Sequence, residues 1–464
     1  MEAVAVNKPK KIKTNVNRLV KQLFAVVLIM VMTIIIAVPV EASRSADIRS
    51  GAQAAGQQLT EAIEIIMARY MGSHVSVNNL AGAALSGMAR HANISITAEA
   101  SRNITNRGEA QAAGQQLAHV VEVIMTQRSG SDITVNALME AGLRGMTDVL
   151  DQHSTYMNAV ELARFANAMT GRLFGIGVEM AAREDGSAII SRVFPHSPAH
   201  AAGVRSGDVI MYINRQSVAG MSLDAITARI VDPANQRVHI IAGRGGQIHA
   251  FNIAKAEIRS PTVIVERMPG IRGLGDLSGF RHVHITSVSL TTGDDVQRAL
   301  NQMQREGVRG IVLDLRGNTG GYLNVTIDIG RQLVPQGIIL QTIDRSGSRR
   351  IYSSSLGQVP FNNVVVLVDR YTASAAEVLA SALQDSGAAV VIGENTFGKG
   401  LVQSVYSLRN GGAMVLTTEE YFRRDGRRIN GVGVVPCISV SGIQAAHEDM
   451  DIALLVALEV LSRR

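Results

Sequence analysis

The chain has 464 residues, 46% hydrophobic and 18% charged, which is enough for several cored domains and too apolar for a disordered protein. Its formal net charge is +6, part of it in the N-terminal leader; with no tryptophan and no basic run interleaved with aromatics, the composition argues against nucleic-acid binding. A single cysteine, Cys437, excludes an intrachain disulfide and a cysteine-based zinc site.

The leader comes first. Lys8, Lys10, Lys11, Lys13, Arg18 and Lys21 precede an almost unbroken apolar run, Leu23 to Val38, and Val40-Glu41-Ala42 has the small residues of a cleavage site. Residues 1–42 are expected to act as a signal peptide, or to stay as a membrane anchor through residues 23–38. The rest of the chain is then exported to the bacterial cell envelope, in the periplasm or on the outer face of the membrane.

An internal repeat follows. Ala52–Leu59, AQAAGQQL, recurs unchanged as Ala110–Leu117, and Met67, Gly72, Asn78, Leu80, Gly87 and Met88 recur as Met125, Gly130, Asn136, Leu138, Gly145 and Met146. Each copy, 43–105 and 106–168, reads as a longer and a shorter helix. Two copies are too few for a solenoid. Two expectations stand: these helices pair between subunits and, with the C-terminal helix, build a homodimer, or they only pack on the body.

Residues 169–258 resemble a PDZ domain, mostly β with two helices. Phe174-Gly175-Ile176-Gly177 opens it ahead of an alternating strand from Val178. Ser197-Pro198-Ala199 leads through Ala202-Gly203-Val204 to Gly207-Asp208-Val209-Ile210, and Leu223 to Ile230 reads as a helix lining a groove. The glycines expose N–H groups to a chain-terminal carboxylate, and the strand edge pairs with a peptide.

Residues 259–440 alternate strands with helices, an α/β sheet core. Pro261–Val265 and His282–Ser287 read as strands; His282 and His284 share a face without a metal-ligand pattern and are taken as structural. Asp294–Glu306 is a helix, and Gly310–Leu315 a buried strand running into Arg316-Gly317-Asn318-Thr319-Gly320-Gly321. Val364–Val368 is a second buried strand, and Ala375, Val378, Leu379, Ala382 and Leu383 have helical spacing. Ser374 therefore sits on a strand-to-helix turn, where a nucleophile is presented beside unpaired N–H groups. No histidine is near this turn in sequence. The candidate base is Lys399, which must be neutral to act and so needs apolar company, expected from Phe397, Gly398, Gly400, Leu401 and Val402. Gln403 is placed to orient it. Gly393–Lys399 also fits the phosphate-loop spacing, but Gly400 stands where Ser or Thr is required and a strand pattern follows.

Thr372-Ala373-Ser374-Ala375-Ala376-Glu377 and Thr396-Phe397-Gly398-Lys399-Gly400-Leu401-Val402-Gln403 resemble the carboxyl-terminal processing peptidases, the tail-specific serine proteases of peptidase family S41. The second repeat, ending in Leu150-Asp151-Gln152-His153-Ser154-Thr155-Tyr156, is in register with that family; the first copy departs from it. The resemblance implies Ser374 as nucleophile, Lys399 as general base and Gln403 as orienting residue. It implies an oxyanion hole from the N–H of Gly320 or Gly321 together with Ala375. Arg423-Arg424 and Cys437 depart from the family pattern, and Cys437 is expected to be a small buried side chain. Leu454–Leu461, within a closing segment 441–464, reads as an apolar helix docked on the body or on a second subunit.

The fold class expected is thus multidomain α/β: an N-terminal helical repeat, a PDZ domain and an α/β catalytic core. The expected protein is an exported serine endopeptidase without metal or cofactor. Its partners are unfolded or C-terminal tail segments of proteins. The alternative is a catalytically inactive PDZ scaffold that binds protein C-termini at the membrane.

Overall fold

The computed structural model describes residues 44–95, 109–128, 132–170, 172–183, 185–232, 234–259, 261–268, 276–357, 359–440 and 451–463. The leader expectation at 1–42 lies outside them. Among the described residues no helix is long and apolar enough to cross a membrane. The chain forms two compact units, Met1–Asn158 with Val405–Leu416 and Ala159–Ser404 with Thr417–Arg464.

The first unit is the helical repeat. Copy 1 supplies helices 44–69 and Val77–Ala92, and copy 2 supplies Ala110–Gln127 and Val135–Asp148. The two shorter helices start alike: Ser76 accepts the Asn79 N–H and Thr134, the matching residue, accepts the Ala137 N–H. Leu59, Leu80, Leu85 and Met88 share one buried core with their counterparts Leu117, Leu138, Leu143 and Met146. The copies thus pack against each other within one chain. The apolar faces named here are therefore covered in cis.

In the second unit the PDZ module is a sheet in the order Val178–Ala182, Ala188–Val193, Val209–Ile213, Arg237–Arg244, Gln247–Ala254, with Leu223–Val231 as its longer helix. Val178–Ala182 is at the sheet edge. Arg172–Gly175 pairs with Ala256–Arg259 and ties the start of the module to its end.

The larger α/β body of this unit has a sheet that runs Val263–Arg267, Phe280–Ile285, Gly310–Asp314, Asn363–Val368, Val390–Gly393, Ile438–Ser439. The first pair is antiparallel and the rest parallel. Its central strands are apolar throughout because both faces are covered. Ile311, Leu313, Val364, Val366 and Val368 pack under the helices Thr292–Arg305, Leu323–Leu333 and Ala375–Asp385. The alternate residues Val312, Val365 and Leu367 meet Ala453, Ala457, Leu458 and Leu461 of the C-terminal helix Ile452–Ser462. Of the two placements expected for that helix, the structure shows the one on its own body.

Asp451, the cap of the C-terminal helix, accepts Arg316 Nη1 at 2.9 Å, and Arg316 Nη2 reaches Asp314 at 2.6 Å. Burial alone would raise the Asp314 carboxyl, but hydrogen bonds from His282 and Arg316 outweigh it and hold it well below the usual carboxylate range. The His282–Asp314 bond, 2.9 Å, in turn raises the His282 imidazole, and among the described residues no cluster of possible metal ligands forms around it. Cys437 is exposed, not buried as expected, because it enters the short edge strand Ile438–Ser439.

Candidate active site

Three adjacent parallel strands, Gly310–Asp314, Asn363–Val368 and Val390–Gly393, end on the same side of the sheet. Side-by-side parallel strands deliver their following loops to one place, which is where open α/β sheets build sites. The first strand delivers Arg316–Gly321, the second the Ser374 turn, the third the loop to Lys399.

Ser374 caps the helix Ala375–Asp385 with φ 58 and ψ −122. An ordinary capping serine is extended; this conformation belongs to glycine and costs a serine about 1–3 kcal/mol. The turn is held on every side. Ala373 N–H donates to Asn318 O, Thr372 Oγ1 donates to Leu315 O, and Phe397 N–H donates to Thr372 O. Ser374 Oγ lies 2.9 Å from the hydroxyl of Tyr421, which is only 2% exposed. Burial pushes the Tyr421 phenol up, so it stays protonated.

Glu377 joins the serine to the lysine loop. Its carboxyl is fully buried and fills its accepting positions with four donors. Oε2 accepts the Ser374 N–H at 2.8 Å and the Lys399 N–H at 2.8 Å. The two backbone nitrogens therefore lie within twice that distance of one another. Oε1 accepts the Gly398 N–H at 2.7 Å and Thr396 Oγ1 at 2.5 Å. The sequence quoted Glu377 only as a letter of the serine motif; its helix position, three residues after Ser374, is the signal that could have found it.

Lys399 is half-buried, just before the strand Leu401–Ser407. Phe397 does not shelter it as expected: that ring is 60% exposed, and Tyr371 beside the serine turn is 61% exposed. With its N–H fixed to Thr372 O, Phe397 faces outward and leaves an aromatic rim at the site. Gln403 donates Nε2 to Thr417 Oγ1 at 3.3 Å on the neighbouring strand Ala413–Phe422.

The glycine loop packs directly on the nucleophile. Gly320 has φ 99, and a Cβ on it would come within 2.9 Å of Ser374 Cβ, Ala375 N and Ala373 O. Its own N–H donates to Asn318 Oδ1 at 2.8 Å. Asn318 is fully buried and also donates Nδ2 to Ile285 O. Among the described residues the N–H groups of Gly321 and Ala375 find no acceptor, so of the two glycines it is Gly321 that has a donor to spare.

In the PDZ module Phe174 is half-exposed while Ile176 is 2% exposed in the module core. Ile176 therefore offers its backbone and not its side chain. Gly177 has φ 82, and a Cβ on it would overlap Ser197, so only glycine fits. This loop and the Ser374 turn belong to different sheets.

Sequence profiles of Peptidase family S41 and of the PDZ domain match residues 281–440 and 166–242. The carboxy-terminal processing protease CtpB of Bacillus subtilis (strain 168) is 32% identical over 307 residues, 65% of this chain and 63% of that protein. The chain thus spans less than two thirds of that relative's length. The carboxy-terminal-processing protease of Bartonella bacilliformis is 30% identical over 309 residues, 65% of this chain and 69% of that protein. A solved structure, the photosystem II D1 C-terminal processing protease, aligns at 24% identity with a TM-score of 0.47, covering 88% of this chain and 97% of that one. On the extent of the sequence match, the chain belongs to peptidase family S41, with the carboxyl-terminal processing proteases.

Proposed function

We propose that the protein is a serine endopeptidase that captures unstructured C-terminal tails through its PDZ module and cleaves by a Ser374–Lys399 acyl-enzyme mechanism. One observation carries this reading: a single carboxylate oxygen of Glu377 holds the N–H of both residues, against the glycine loop.

In the proposed mechanism neutral Lys399 Nζ accepts the Ser374 hydroxyl proton as Oγ attacks the amide carbonyl carbon. The charge that develops on the carbonyl oxygen is taken by the N–H groups of Gly321 and Ala375; such donors contribute about 3–4 kcal/mol each. The C–N bond breaks as Lys399 returns the proton to the leaving amine. Water then attacks the ester carbon and gives one proton to Lys399; the C–Oγ bond breaks as Lys399 passes that proton to Ser374 Oγ, and the new carboxylic acid leaves and loses its remaining proton to solvent. Gln403, held by Thr417, keeps the lysine oriented.

Tail capture rests on the free edge of Val178–Ala182 and the backbone of Phe174–Gly177, which suit β-addition and a terminal carboxylate. The basic-then-apolar leader supports export to the cell envelope and membrane association. The test is digestion of an unfolded protein with a free or an amidated C-terminus. Turnover is expected for wild type, slower with the amidated tail, and lost with Ser374→Ala or Lys399→Ala. Equal turnover by wild type and Ser374→Ala would remove the serine from the mechanism.

A further inference from the structure

The two repeat copies meet about an internal dyad. A Cβ on Gly56 would come within 2.6 Å of both Gly114 O and Ala118 Cβ, and one on Gly114 would come within 2.7 Å of Gly56 O and overlap Thr60 Oγ1. A Cβ on Gly87 would overlap Ala141 O, and one on Gly145 would overlap Ala83 O, each with the other glycine's Cα 3.2 Å away. Each contact is repeated with the copies exchanged, residue for residue. Arg90 and Asp148, 58 positions apart like the glycine pairs, form an ion pair of 2.5 Å on the same axis. This reciprocity is the geometry of an isologous homodimer interface, made here inside one chain.

We infer that the face of helices Ala110–Gln127 and Val135–Asp148 bearing Gly114 and Gly145 is a self-complementary dimerisation face, that copy 1 occupies it in cis, and that its alternative occupant is the same face of a second copy of this chain. Copy 2 already has what self-pairing needs. Gly114 would meet Gly114 and Ala118, the latter smaller than the Thr60 it meets now. Gly145 would meet Gly145 and Ala141, as it now meets Gly87 and Ala83. The core partners Leu117, Leu138, Leu143 and Met146 are the same residue types as those they replace. One contact opposes self-pairing: Asp148 would meet Asp148, whereas in cis it meets Arg90. Exposed like charges at close range repel, so the arginine biases the face toward the copy carried in the same chain.

The experiment uses the full chain with Cys437→Ser. Arg90→Cys with Asp148→Cys should give a disulfide at monomer mass. Gly56→Leu with Gly87→Leu damages copy 1 alone and should convert monomer to dimer by light scattering. In that background Asp148→Cys, a residue on the axis, should cross-link chain to chain, which it should not do otherwise. Adding Gly114→Leu and Gly145→Leu should return the mass to monomer. The milder Gly87→Ala, in which the backbone must still shift at Ala141, should show dimer growing with concentration and covers the case in which the leucine pair does not fold. Three results would overturn the inference: no dimer at any concentration with Gly87→Ala, a dimer that survives the four leucines, or chain-to-chain cross-linking through Asp148→Cys when copy 1 is left intact.

Discussion

Glu377 accepts from donors 19 to 22 residues further along the chain as well as from Ser374. Glu377→Gln would turn one acceptor into an NH2 facing an N–H, at a cost of about 1–3 kcal/mol. Peptidase assays should show kcat/KM lowered about ten- to a hundred-fold, with circular dichroism unchanged. Tyr421→Phe should act more narrowly. Removing one hydrogen bond to Ser374 Oγ, worth about 1 kcal/mol, should lower kcat about fivefold and leave KM in place. The turns that carry Ser374 and Lys399 were legible in the sequence because each is glycine-rich or made of small residues and lies beside an apolar run. Glu377, Asn318 and Tyr421 were not, because their work consists of hydrogen bonds to residues distant in sequence. Phe397 and Cys437 misled for another reason: apolar residue type says nothing about which way a loop turns its side chain.

The elements that build the site are the three parallel strands, and these were readable because strands covered on both faces are apolar without interruption. The hairpin Gly337–Asp344 and Arg349–Ser354 was missed. Its second strand, Arg349-Arg350-Ile351-Tyr352-Ser353-Ser354, is mostly exposed and has no clean alternation. Yet this hairpin places Tyr421, through the pairing of Thr342 with Tyr421. At the end of the first strand, Gly320→Ala should abolish peptide cleavage, since a methyl would press on Ser374 and Ala375 N at a φ that costs a further ~1–3 kcal/mol. Cleavage at more than a hundredth of the wild-type rate would count against the glycine loop as part of the site. Between the first two strands of the parallel set, His282 gives a pH signature. Its hydrogen bond to Asp314 raises the folded pKa, so this stabilisation is full below about pH 6.5, the unfolded value, and is lost as pH rises through the folded one. Wild type should therefore melt progressively lower as pH is raised above neutrality, and calorimetry of His282→Gln should show that slope flattened.

At the scale of the molecule, the duplication in sequence announced a helical unit but not its partner. A repeat shows that two segments share a shape; only the glycine crossings show that they face each other. The C-terminal helix was ambiguous in the same way, since an apolar helix suits a neighbour or its own sheet equally, and Arg316 with Asp451 anchors it to its own sheet. Asp451→Asn should loosen that helix, and proteolysis should then nick the last residues sooner than in wild type. The helical unit has a different consequence. Two subunits held by such a face would separate on dilution, their association set by how many meet per litre. Joined by one chain, the halves keep a fixed local supply of each other however few molecules surround them, and the melting of this unit should read the same from a crowded sample and a thin one.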